Sequence, residues 1–107
     1  MPSVVVEHMG RNFPVDEDGF LADLALWSPE WVDYVRELED IDELTEDHME
    51  LVERLREYFD ENGIPPKVKI LPEVTGFKLK FIYELFPSGP GKGACKMAGL
   101  PKPEGCV

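Results

Sequence analysis

Two cysteines, Cys95 and Cys106, are the residues whose type and spacing promise chemistry, and both fall in the last 13 positions with ten residues between them. A thiolate is a strong nucleophile, and outside oxidising compartments a thiol pair is more often catalytic or redox-sensing than structural. Cys95 is expected in the first turn or so of a short helix opened by Pro90-Gly91, where the positive helix end together with Lys92 and Lys96 would lower its pKa. Cys106 is penultimate, on a tail expected to be exposed. The terminal carboxylate of Val107 opposes its thiolate, so activation would wait for a basic partner surface. Spacing alone leaves open a plain alternative: an ordinary small residue plus a tail thiol of no consequence.

The backbone around these thiols adds to the case. Leu100 and Lys102 each precede a proline, which biases Leu100 to Pro103 toward a short extended rod. Gly99 and Gly105 flank that rod as hinges. Eleven residue steps separate the two cysteines, about 36 Å when extended, whereas a disulfide needs Cα atoms roughly 5.5 to 6 Å apart. A bonded arm is therefore folded back, and an arm reaching into a partner is not bonded. Lys92, Lys96 and Lys102 are candidates for steering the arm toward an anionic site.

Other candidate chemistry is weaker. A zinc site takes four closely spaced ligands, and the remaining soft donors, His8 and His48, belong to distant elements, so no metal is expected. Gly89-Pro90-Gly91-Lys92-Gly93 resembles a phosphate loop only faintly, since glycine follows Lys92 and no buried strand precedes it; it reads better as a helix N-terminus able to meet an anion. His8 and His48 read as surface histidines with satisfied hydrogen bonds. Trp27, Trp31, Tyr34, Tyr58, Phe59, Phe81, Tyr83 and Phe86 recur at helical spacing and read as core or helix contacts. The acids from Glu37 to Asp47 read as a solvated face.

The elements that must hold the thiols follow from length and pattern. With 107 residues the chain makes one domain with a modest core, too small to enclose a large cofactor. Residues 1–63 carry 19 acids against 4 arginines and residues 64–107 carry 7 lysines against 3 glutamates, within a net charge of −11. An acidic body disfavours nucleic acid and anionic membrane. The apolar runs are too short to span a bilayer, and Met1 to Glu7 lacks the marks of a signal peptide, so a cytoplasmic location without membrane insertion is expected. Met9-Gly10 separates two short alternating runs and predicts a β-hairpin. Ser28-Pro29-Glu30 starts a helix to about Glu39, and Thr45 starts another that Gly63 ends before Pro65-Pro66. Val68 to Leu71 predicts a short helix ending near Pro72, and Phe77 to Leu85 one more. The expected fold is mainly α within the α+β class: a compact orthogonal helical bundle with a helix-turn-helix-like core, a short N-terminal hairpin, and a flexible C-terminal arm. Residues 1–98 would be the domain and 99–107 the arm.

The run from Thr75-Gly-Phe-Lys-Leu-Lys through Leu85-Phe-Pro-Ser-Gly-Pro-Gly-Lys-Gly-Ala-Cys95 to Gly105-Cys106-Val107 resembles the DsrC/TusE family, the gamma subunit of dissimilatory sulfite reductase. Val15-Asp-Glu-Asp-Gly-Phe, the Trp27 to Trp31 stretch and Asp60-Glu-Asn-Gly-Ile-Pro-Pro extend the likeness over nearly the whole chain. The resemblance implies a sulfur carrier that is not catalytic alone, acting as co-substrate of the reductase α and β subunits. Its arm would bring Cys106 to the sirohaem of a partner that also holds iron–sulfur clusters, while this chain binds no cofactor. Cys95 would join Cys106 in a trisulfide, which a membrane electron-transfer complex reduces to release sulfide. Family members devoted to tRNA thiolation keep only the penultimate cysteine, so Cys95 points to the dissimilatory branch rather than to that relay. Glu104 stands where family arms commonly carry threonine, placing a negative charge near the thiol. A DNA-binding regulator built on the helices from Thr45 to Phe86, with Lys67, Lys69, Lys78 and Lys80 nearby, is the reading from another class, and net charge weighs against it.

Overall fold

In the computed structural model, which describes residues 4–102, the chain begins with the expected hairpin. Met9 and Gly10 have φ of +52° and +80°, the left-handed pair that a two-residue turn between right-twisted strands requires. Val4–His8 (β1) and Arg11–Val15 (β2) pair antiparallel, from Val4 opposite Val15 to His8 opposite Arg11. Phe13 and Val15 alternate into the core while Arg11 and Asn12 face solvent. The carboxylate of Asp16 then accepts from the backbone N–H of Asp18 and Phe20 (2.9 and 3.0 Å), a local turn that delivers Phe20 and Leu21 to the core.

A 3-10 turn, Leu24–Leu26, precedes α1, Pro29–Leu38, capped by Ser28, whose hydroxyl accepts from Trp31 N. This helix buries Trp31, Val32 and Val35, and the Trp31 ring meets Phe13 edge-on at 5.3 Å between centroids. α2, Glu46–Asn62, buries His48, Leu51, Val52 and Leu55, one stripe at the helical period, and ends at Gly63 with φ +75°. Val68–Ile70 forms a 3-10 turn that runs into α3, Leu71–Thr75, and α4 follows at Leu79–Leu85. Pro72 was expected to end a helix; it lies in the first turn of α3 instead, where its missing N–H costs nothing.

Pro90–Cys95 forms a π-helix, and Lys96 and Met97 continue it as α-helix. Cys95 is therefore the last residue of the π segment and not in a first turn as its spacing from Pro90-Gly91 suggested. The expectation that nothing from Leu100 onward is core also fails. Leu100 is fully buried, as are Ala94, Met97 and Ala98, so the packed body runs past residue 98 to Leu100. A single leucine in a proline-rich stretch carries no periodic signal, which is why pattern alone assigned it to the tail.

Candidate functional site

Gly99, φ +78°, stops the helix that carries Cys95. Leu100 N donates to Cys95 O (3.1 Å) and Gly99 N to Lys96 O (3.0 Å), the paired bonds of a Schellman motif. A Cβ on Gly99 would stand 2.7 Å from Cδ1 of Trp27. The residue expected as a hinge is thus a helix stop packed against an indole ring.

Three side chains converge on the carbonyls of this helix end. Trp31 Nε1 donates to Lys96 O (2.7 Å), Trp27 Nε1 to Met97 O (2.9 Å), and Arg56 Nη1 to Ala98 O (2.7 Å). A helix end leaves its last carbonyls without intrahelical partners, and here three consecutive ones are held by donors from the 3-10 turn's exit, α1 and α2. The Arg56 guanidinium also lies over the Trp27 ring at 3.9 Å. Burial pushes the Arg56 pKa down, opposed by the charge of Asp60. Pattern reading took both tryptophans as core and passed over Arg56. The one available hint was the indole N–H, which needs a partner when buried.

Cys95 is fully buried in the middle of this arrangement. Of the steering candidates, Lys92 is exposed. Lys96 places its ammonium 5.0 Å from the centre of the Phe20 ring, and Lys102 pairs with Asp18 at 4.0 Å. Cys106, Gly105 and Glu104 lie outside the described residues. The glycine run is not an open anion cradle: Gly89, Pro90, Gly91 and Gly93 are buried. The chain's own Glu39, buried rather than solvated, accepts there from Ser88 N (3.1 Å), and a Cβ on Gly93 would meet its Oε1 at 2.9 Å.

Both histidines are structural in their contacts. His48 is buried, not on the surface: its Nδ1 accepts from Thr45 N (3.1 Å) in a capping box and its Nε2 donates to Leu85 O (2.9 Å). His8 Nε2 bonds Asp33 Oδ2 at 2.8 Å and lies 3.7 Å from Glu37 Oε2. Arg36 pairs with both carboxylates (2.8 and 3.5 Å), so the cluster is an ion-pair network tying the hairpin to α1.

A small helical body with an N-terminal hairpin thus ends in a helix that carries Cys95 and whose last carbonyls are held by side-chain donors. The model of the family "DsrC like protein" matches residues 7–107, both cysteines included, and the chain belongs to that family. Dissimilatory-type sulfite reductase subunit gamma of Nitratidesulfovibrio vulgaris is 60% identical over 102 residues, covering 95% of this chain and 97% of that one. A chain in the crystal structure of dissimilatory sulfite reductase I has a TM-score of 0.88 and 59% identity, over 97% of this chain and all of that chain. Sulfurtransferase TusE of Pectobacterium atrosepticum is 36% identical, over 96% of this chain and all of that one.

Proposed function

We propose that this chain is the sulfur-carrying co-substrate of a dissimilatory sulfite reductase, with Cys106 as the accepting thiol and Cys95 as the resolving one. The observation that carries the reading is the near full-length similarity to a gamma subunit of that reductase, in a chain that has both thiols. The partner is the reductase α and β subunits, and sirohaem and iron–sulfur clusters are theirs; this chain contributes the thiols and the arm. Sulfite sulfur takes two electrons from the reductase and two from the thiol pair, loses its oxygens as water, and is left bridging Cys106 and Cys95 as a trisulfide. A membrane electron-transfer complex then supplies four electrons, which release sulfide and restore both thiols. The work is cytoplasmic in this reading; separately, no helix among the described residues is long and apolar enough to cross a membrane.

Incubating the reduced protein with sulfite, an electron donor and the reductase should give a species one sulfur atom heavier than the disulfide form. Cys106→Ser should not gain sulfur, and Cys95→Ser should gain it without closing the bridge. Equal sulfur loading of the wild type and Cys106→Ser would sink the reading. A second reading, a sulfur relay that passes a persulfide onward, is favoured by the similarity to TusE. It needs only Cys106, so full onward transfer by Cys95→Ser would support the relay over the co-substrate.

A further inference from the structure

His8 lies 25 residues before Asp33, so spacing along the chain offers no metal-ligand pattern. The hairpin closes that distance. β1 ends at His8 and delivers it to α1, where Asp33 and Glu37 stand four residues apart and share a face. One donor atom from each of the three lies within 4.8 Å of the other two. His8 Nε2 is 2.8 Å from Asp33 Oδ2 and 3.7 Å from Glu37 Oε2. Ligand atoms around one ion, with bonds of about 2.1 Å, stand about 3.0–3.5 Å apart, so these two distances bracket the spacing that an ion would impose.

The donors are oriented as well as near. The His8 side chain is only 13% exposed, and its ring leans on Tyr34 at 5.6 Å between centroids. Asp33 turns Oδ2 toward His8 while its other oxygen, Oδ1, accepts from Arg36 Nε (2.8 Å). That guanidinium is fixed in turn, because its Nη1 donates to Ile41 O (2.8 Å). A hydrogen bond to the far oxygen of a ligating carboxylate is the support that holds metal ligands in place. Of the contacts Arg36 makes here, only the longer one, Nη2 to Glu37 Oε2 at 3.5 Å, competes for a donor atom. Two carboxylates against one guanidinium, with a neutral imidazole, leave the group negative and suited to a dication.

We infer that His8, Asp33 and Glu37 bind one divalent first-row transition ion of the zinc type, with solvent completing the coordination, and that the ion clips the hairpin to α1. The imidazole favours this class over Mg2+ and Ca2+, which take oxygen donors. On binding, Nε2 offers its lone pair to the ion and the ring's one remaining proton sits on Nδ1. Neither thiol takes part, so the inference stands apart from the sulfur-carrier reading.

The test uses the full chain without a tag, treated with chelator and carrying Cys106→Ser so that the tail thiol does not compete for the ion. Calorimetric titration with Zn2+ should show one ion per chain, which excess Mg2+ does not displace. His8→Ala and Glu37→Gln should each weaken binding about tenfold or more, since loss of even a supporting partner of a metal ligand costs 10–100-fold. Glu37 is 56% exposed, so Glu37→Gln removes a donor without disturbing the core and keeps the test sound if His8→Ala loosens the hairpin. Zn2+ should also raise the thermal midpoint of the parent chain and leave that of both variants unmoved. Co2+ gives the location: its paramagnetic broadening should be strongest at the His8 ring and should spare the buried His48. Absence of saturable binding, equal affinity in the parent and both variants, displacement by Mg2+, or broadening centred on Cys95 or on the Asp16 to Asp18 turn would each overturn the inference.

Discussion

Asp33 accepts from the Arg36 guanidinium and from the His8 ring, each at 2.8 Å, and these hydrogen bonds, Arg36 first, lower its pKa from the ordinary value of 3.8. A carboxyl whose folded pKa is depressed contributes stability above its unfolded pKa and loses it as pH falls through the folded value. Asp33→Asn should therefore narrow the stability difference between neutral pH and pH values below 3.8. Acid titrations of both proteins followed by circular dichroism check this, and parallel curves would show that the network contributes nothing. Since Asp33 is part exposed and screened by solvent, the effect should be small and should shrink in salt. The two thiols separate at the same scale. Cys95 is fully buried, so a bulky alkylating reagent should modify it only as fast as its surroundings open, after Cys106. Peptide mass mapping over time gives the order, and Cys95 modified first would reverse the assignment of accepting and resolving thiols. The sequence marked both cysteines because thiols are rare and reactive, but not the burial of Cys95, which belongs to a core drawn from elements far apart in the chain.

At the scale of elements, α1 and α2 were legible because their signals are local. Ser28 with Pro29, and Thr45 with Gly63, sit at the very ends they create. Within α2 the most deeply buried residues are His48, Leu51, Val52 and Leu55, while Met49, Tyr58 and Phe59 are only partly buried. The grip on the Cys95 helix was not legible for the opposite reason. Its donors and acceptors are 65, 70 and 42 residues apart, and no local pattern joins them. The π-helix was likewise read as an ordinary helix, because its extra residue per turn is set by what surrounds it. Gly93 shows the constraint: a Cβ there would meet Phe86 Cβ at 2.7 Å and Glu39 Oε1 at 2.9 Å. Gly93→Ala should cost about 1–3 kcal/mol, the usual range for overpacking a filled core. Urea titration measures it, and a change within the range of a surface substitution would mean that the π segment yields freely.

For the molecule as a whole, the boundary between body and arm moves. Two truncations define it, one ending at Leu100 and one ending at Gly99. Loss of the buried leucine should make the shorter form less stable by about 2–5 kcal/mol, the cost of emptying a core leucine site. Equal thermal midpoints would restore the boundary at residue 98 that sequence pattern suggested. The hairpin and the helical body were foreseeable from turn and cap residues, whereas the attachment of the tail was not, because Leu100 is a core residue without neighbours that share its face. The attachment at Leu100 also limits the geometry of any enzyme the tail serves. Six residue steps lead from Leu100 to Cys106, so an outstretched tail carries its thiol about 20 Å from the anchoring point, little more than half the span between the two cysteines along the chain. A reaction centre within that depth of the docked surface can be served by the folded body as it stands. A centre lying deeper would require that Leu100 be pulled from the core, so reach alone would decide whether serving it leaves this body intact or partly undoes it.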